Sequence, residues 1–144
     1  MKGIKLTICG DPKSKKNSMQ IIPGKAGSRP RLIQSKIYRE YAEDFKNQVP
    51  AEAKLNIDYP VQVQTIFFRA TKRRVDLINL IAAAHDLLVD SGVLADDNAK
   101  IIISVDGSRV CYDKENPRTE ITILPVACQI AEEFLASKEG QKFS

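Results

Sequence analysis

The chain has 144 residues, of which 43% are hydrophobic and 28% charged, and its formal net charge is +4. That length suits one domain able to bury its own core, and the balance excludes a disordered, collagen-like or disulfide-framework protein. No run approaches the about 20 apolar residues that span a bilayer, and the apolar run in Met1–Gly10 is too short for a secretory signal, so the chain is expected to work in the cytoplasm, away from membranes.

In chain order, Gly3–Cys9 alternates and reads as a strand, followed by a loop at Gly10–Ser18. Met19–Ile22 and Arg31–Ile33 read as short strands around a Pro23–Pro30 loop. Ser35 is placed to cap a helix running to about Val49, with Tyr38, Tyr41, Ala42, Phe45 and Val49 as its apolar face. Pro60 opens a strand over Val61–Ala70, and a basic loop follows at Thr71–Arg74. A helix from about Asp76 to Asp90 ends at Gly92, a residue suited to a helix C-terminus. Lys100–Val105 and Thr119–Leu124 are further strands, and Ala127–Ser137 a last helix. Strands and helices interleave irregularly, so the expected fold is α+β, a mixed sheet packed with helices. It forms one domain over residues 1–144, with a helical extension at 127–144.

The charge is unevenly spread. Residues 1–36 hold nine Lys and Arg against the single acid Asp11, which leaves the rest of the chain at −4. A second basic group comprises Arg69, Lys72, Arg73 and Arg74. From Asp76 to Asp97 there are five Asp and no Lys or Arg. Basic loops attract a polyanion such as nucleic acid, or are merely solvated. Clustered aspartates repel the same polyanion unless a divalent cation lies between them.

On a helical wheel Leu77, Leu80, Ile81, Ala84, Leu87 and Leu88 form a core stripe, while Asp76, Asn79, Asp86 and Asp90 share a narrow face with Ala83 between them. Ile78, Ala82 and Val89 form a second apolar strip, which calls for a second surface to bury against and so for a homodimer. Asp76 stands where an N-cap would. The Asp96–Asp97 pair stands in a tight loop, a common place for a turn. With helix and following strand antiparallel, that loop lies a helix length, about 22 Å, from Asp76 within one subunit. His85 falls on the face opposite Asp86 and Asn79 and reads as a core or interface histidine. Cys9, Cys111 and Cys128 have no metal-site spacing and read as free buried thiols.

The run Arg73-Arg74-Val75-Asp76-Leu77-Ile78-Asn79-Leu80, then Asp86, then Ser91-Gly92-Val93-Leu94-Ala95-Asp96-Asp97, resembles the RusA-like Holliday junction resolvases. Looser support comes from Lys15-Lys16-Asn17-Ser18, Asp106-Gly107-Ser108-Arg109 and Glu115-Asn116-Pro117-Arg118-Thr119-Glu120, in the style of a Gram-positive and prophage branch. The resemblance implies a small dimeric endonuclease that uses Mg2+, with Mn2+ as a substitute, to cut four-way or other branched DNA in recombination and repair. By position it makes Asp76 and Asp97 catalytic and metal-binding, and brings in Asp96 and Asp86 as further acidic positions. Two positions depart from the founding members: Ile78 replaces a second Asp, and Ala82 replaces a lysine.

The chemistry agrees. Phosphodiester hydrolysis needs an activated water and a stabilised leaving oxygen, and Mg2+ on a few carboxylates supplies both. Asp76 and Asp97 make a minimal site, with Asp96, Asp86 or Asp106 as a third ligand. Lys72, Arg73 and Arg74 would hold nearby phosphates, and Lys13, Lys15, Lys16, Arg29 and Arg31 the flanking duplex arms. The alternative is a decayed relative that binds branched DNA without cutting it, a reading favoured by Ile78 and Ala82.

Overall fold

The computed structural model describes the backbone of residues 3–15 and 19–126, and the side chains of these residues other than 19–20 and 31–34. The expected helix at Ala127–Ser137, together with Cys128 and Lys16, lies outside the described residues.

Every second residue of Val61–Arg69 (β4) is buried, from Val61 and Val63 through Thr65 to Phe67. This alternation puts one face of β4 on the core and makes it the spine of a five-stranded mixed sheet. Arg118–Pro125 (β7) runs antiparallel along β4 from Phe68–Arg118 to Val61–Pro125. On its other side β7 pairs antiparallel with Ile4–Cys9 (β1), Ile4 facing Ile123. The free side of β4 is covered in two halves. Ile102–Ser104 (β5) lies parallel to its start, and Arg109–Tyr112 (β6) lies parallel to Ile66–Arg69. Between them the amide of Thr65 donates to Ser108 Oγ at 3.0 Å, so the gap leaves no amide orphaned there.

The mixed α+β reading therefore holds. The structure differs at two places. β5 is shorter than the expected Lys100–Val105 strand, and β6 forms where the sequence predicts no strand. Met19–Ile22 (β2) and Arg31–Gln34 (β3) form a separate antiparallel hairpin.

Both helices pack on one side of the sheet. Lys36–Gln48 (α1) begins where its N-cap Ser35 accepts from the Tyr38 amide through Oγ at 3.1 Å. Its Tyr38, Phe45 and the following Val49 are buried. Leu77–Asp90 (α2) buries Leu80, Ala83, Ala84, His85, Leu87 and Leu88. Ala83, which the wheel puts on the acidic face, is thus core. α2 stops at Gly92, whose φ of 80° suits glycine and lets the chain reverse. The reversed segment then docks on Asn56–Ile57: Ile57 N donates to Val93 O at 3.0 Å, and Ala95 N to Ile57 O at 2.9 Å. Phe45 is fully buried in the main core. Phe45→Ala should therefore cost about 3–5 kcal/mol, read as a lowered denaturant midpoint.

The expected buried thiols are not found where described: Cys9 is exposed and Cys111 half-buried, both free. Cys9 ends β1, and Cys111 belongs to the outermost strand β6, so neither reaches the core.

Candidate active site

Three groups of charged residues surround α2. At its start Asp76 occupies the N-cap position, but its side chain makes no capping hydrogen bond. Its Oδ2 instead accepts from Asn79 Nδ2 at 3.3 Å, and the residue is exposed. The carboxylate thus stays available to other partners rather than serving the helix.

Ten residues further along, about 15 Å along the axis, Asp86 is half-buried. The loop after Gly92 returns Asp97 to the neighbourhood of Asp86, close enough for the two carboxyl groups to influence each other. Burial, and then the facing Asp86, hold the Asp97 carboxyl above the usual carboxylate range. Lys15 reaches across from the loop after β1, and its Nζ lies 2.8 Å from Asp86 Oδ2.

Asp96 does different work. Its Oδ1 accepts from the Asp97 amide at 2.7 Å and its Oδ2 from Asn98 Nδ2 at 3.0 Å. These bonds hold its carboxyl below the usual range and make it the organiser of the turn. Asp106 belongs to the β5–β6 connection, where its carbonyl accepts from Gln62 on β4. Among the described residues no three His, Cys, Asp or Glu converge in one chain. The single chain therefore offers a pair, Asp86 with Asp97, and a separate Asp76.

The raised Asp97 gives a test of the pair. A carboxyl with a folded-state value above its unfolded one destabilises the fold once ionised. Asp97→Asn should raise the thermal midpoint of the metal-free protein at neutral pH. The gain should vanish as the pH falls below the ordinary carboxylate range, and a midpoint scan against pH reads it directly.

His85 is 8% exposed, and burial lowers its proton affinity, so it is neutral at pH 7. It belongs to the packed side of α2 and does not face the Asp76 carboxylate. Tyr38 is buried beneath Asp86 and Asp90, and burial followed by the Asp86 charge raises its phenol strongly. Sequence reasoning places it only in the core.

The basic residues divide. Lys13 pairs with Asp11 at 2.9 Å, and Asp11 also accepts from the Ala70 amide at 2.8 Å. This ties the loop after β1 to the end of β4. Lys13, Arg73 and Arg74 line one cleft together with Arg69, a member of the same basic group, and with Ser14, which sequence reasoning does not assign to the site. The Arg69 guanidinium donates to the Arg73 carbonyl and folds the basic loop back on β4. Lys72 points elsewhere, with its Nζ 5.1 Å above the Tyr112 ring. Arg29 is exposed in the β2–β3 loop, Arg31 begins β3 with its side chain outside the described residues, and Lys16 is outside them altogether.

The downstream stretch that shares the resemblance is structural. Arg118 stacks 3.8 Å over Phe68 and donates to Asp113 at 2.9 Å, fastening the turn before β7.

The architecture is that of an α+β domain with its acids and bases segregated onto neighbouring segments around one helix. The family model for the endodeoxyribonuclease RusA matches residues 10–124, and the chain belongs to that family. The match covers every element from the loop after β1 to the end of β7 except the last residue of the strand. Among curated proteins none matches this chain.

Proposed function

We propose that the protein is a divalent-metal-dependent endonuclease that cuts four-way or other branched DNA as a two-fold dimer, each site built from acids of both subunits. The observation that carries this reading is the uncommitted Asp76 carboxylate standing about 15 Å along α2 from the Asp86–Asp97 pair. One chain separates these acids, and a two-fold partner with α2 antiparallel would bring its own pair beside Asp76. Exposed apolar residues on α2, Ile78 at 77% and the neighbouring Ala82, offer surface for such a partner. Val89, the third residue of that strip, packs partly against the core instead. Sedimentation at micromolar concentration should give a dimer, and a monomer would count against the reading.

The donor set suits Mg2+ or Mn2+. It consists of hard carboxylate oxygens, with two held together at a cost that a cation relieves. Asp76, Asp86 and Asp97 would hold the ion, which would acidify the attacking water and neutralise charge growing on the phosphate. The protein's own groups do the rest. Asn79 orients the Asp76 carboxylate. Lys15 places a cation against Asp86. Arg73 and Arg74 draw the strand in through its phosphates, and Arg29 and the β2–β3 hairpin extend toward the duplex arms.

A synthetic four-way junction, incubated with and without Mg2+ or Mn2+, tests the reading: paired cuts that require the metal support it. Arg73→Ala with Arg74→Ala should weaken junction binding and flatten its salt dependence, by about 0.9 in the log–log slope for each phosphate no longer neutralised.

A second reading, binding of branched DNA without cleavage, has its own observation. Ile78, 77% exposed in the first turn of α2, stands open to solvent where the founding members carry a second Asp. Its exposure means that Ile78→Asp is tolerated by the fold. Cleavage gained on that substitution, in a protein otherwise inert with every divalent metal, would support this second reading.

A further inference from the structure

The geometry points to a pocket for one DNA backbone phosphate between the loop after β1 and the basic loop after β4, with Ser14 and Arg69 turning in as its specific donors. The inference deepens the DNA-acting reading above and rests on it for the identity of the ligand.

The cleft has a volume of about 270 Å3. Its walls include Lys13, Ser14, Arg69, Arg73 and Arg74, four cations and a hydroxyl. Two of these groups lack what burial demands. Ser14 is 2% exposed, and its Oγ has no hydrogen-bond partner among the described residues. Arg69 Nε is likewise buried without a partner among them. A buried donor left unpaired costs about 1–3 kcal/mol, and two among the residues of one cleft wall call for an acceptor that the described residues do not supply. A backbone phosphodiester shares its charge over two non-bridging oxygens and can answer both donors at once.

The walls are held ready. Asp11 bonds the Ala70 amide and the Lys13 ammonium, which fixes the first loop to the end of β4. The Arg69 guanidinium holds the Arg73 carbonyl, which fixes the second loop. Arg69 thus spends one terminal nitrogen on architecture and leaves Nε without a partner among the described residues. Val75 closes the cleft and is followed directly by Asp76, so a phosphate there lies beside the uncommitted carboxylate at the start of α2. The positive end of the α2 dipole adds to the attraction. A strand seated by this phosphate would present a neighbouring phosphodiester to Asp76.

Isotope-labelled protein, free of DNA and metal, is titrated with inorganic phosphate at an ionic strength held constant with chloride. The Nε–H of Arg69 and the amide of Ser14 should shift together and saturate. Ser14→Ala should lower phosphate affinity about 10-fold, the loss of one hydrogen bond to a charged group. It should leave the thermal midpoint unchanged or higher, because the hydroxyl has no partner to lose among the described residues. Absence of saturation overturns the pocket. So does a lower midpoint with unchanged phosphate affinity, which would make Ser14 structural only. In a second arm, a four-way junction without terminal phosphates should displace inorganic phosphate from the cleft. Displacement only by a 5′-phosphorylated dinucleotide would assign the cleft to a strand end and overturn the backbone assignment. Neither arm reads cleavage, so the pocket and the nuclease reading fail on different results.

Discussion

Asp76→Asn should abolish metal-dependent cleavage of a four-way junction while leaving junction binding intact or tighter. Asn keeps the shape of the side chain and can still accept from Asn79, as Asp76 Oδ2 does at 3.3 Å. No capping bond is lost, because the wild-type side chain makes none. The substitution removes one negative charge from a position beside the basic cleft, which lowers repulsion of phosphate in the absence of metal. It also removes an anionic oxygen, and an amide is a much poorer partner for Mg2+. The rate should fall by more than the about 100-fold that loss of an outer-shell partner of a metal ligand can cause. Asp97→Asn should behave alike in cleavage, with the added gain in metal-free stability that relief of the Asp86–Asp97 pair brings. Wild-type rates in both variants would remove these residues from the reaction.

The second large effect is a rescue. If each site takes Asp76 from one subunit and Asp97 from the other, Asp76→Asn and Asp97→Asn homodimers are both dead. Mixed and re-equilibrated, about half of the dimers become heterodimers. Each heterodimer then holds one site with both aspartates and one with neither. Single-strand nicking of the junction should return, while paired cutting should not, since the second site of every heterodimer is doubly deficient. A mixture as inert as its components would place all the acids of a site in one subunit, and would demand that α2 or the 91–97 loop rearrange by about 15 Å.

Much of this arrangement is legible along the chain. β4 declares itself through alternation at Val61, Val63 and Thr65, all of which are buried. α1 declares its start through Ser35, and α2 its end through Gly92. These signals are local, a cap or a period, and the chain carries them without help from distant residues. β6 carries no such signal. Its four residues are all at least partly exposed, so no alternation marks them, and it exists because β4 offers Ile66–Arg69 as a ladder. The meeting of Asp97 with Asp86 is also hidden. It depends on the segment after Gly92 docking on Ile57, a partner more than thirty residues earlier. The Lys15–Asp86 pair spans 71 positions and follows from the same packing. Spacing does not settle the role of Asp76, because a capping and a non-capping aspartate occupy the same position and differ only in where the side chain turns. Ser14 escapes sequence reasoning for a related reason: a serine in a loop is ordinary until burial leaves its hydroxyl unpaired, and Arg69, legible as one of a basic group, takes its place beside Ser14 only through the same packing.

The place of β7 in the sheet bears on how the protein comes into being on the ribosome. β1 is synthesised first, yet its only ladder partner among the described residues is β7, which begins at Arg118. β7 is also the whole antiparallel flank of β4. Until residue 125 has left the exit tunnel, β1 and β4 have no strand between them to make one sheet, and the core beneath α1 and α2 stays open. Pairing between segments so far apart in the chain is slow compared with local helix formation, and exposed strand edges in the meantime favour aggregation. The loop after β1 and the loop after β4, which together form the basic cleft, are held side by side by that late strand and by the Asp11–Ala70 hydrogen bond. A nascent chain therefore completes the sheet only once β7 has been made, and a truncation before Arg118 should yield insoluble protein rather than a weakened one.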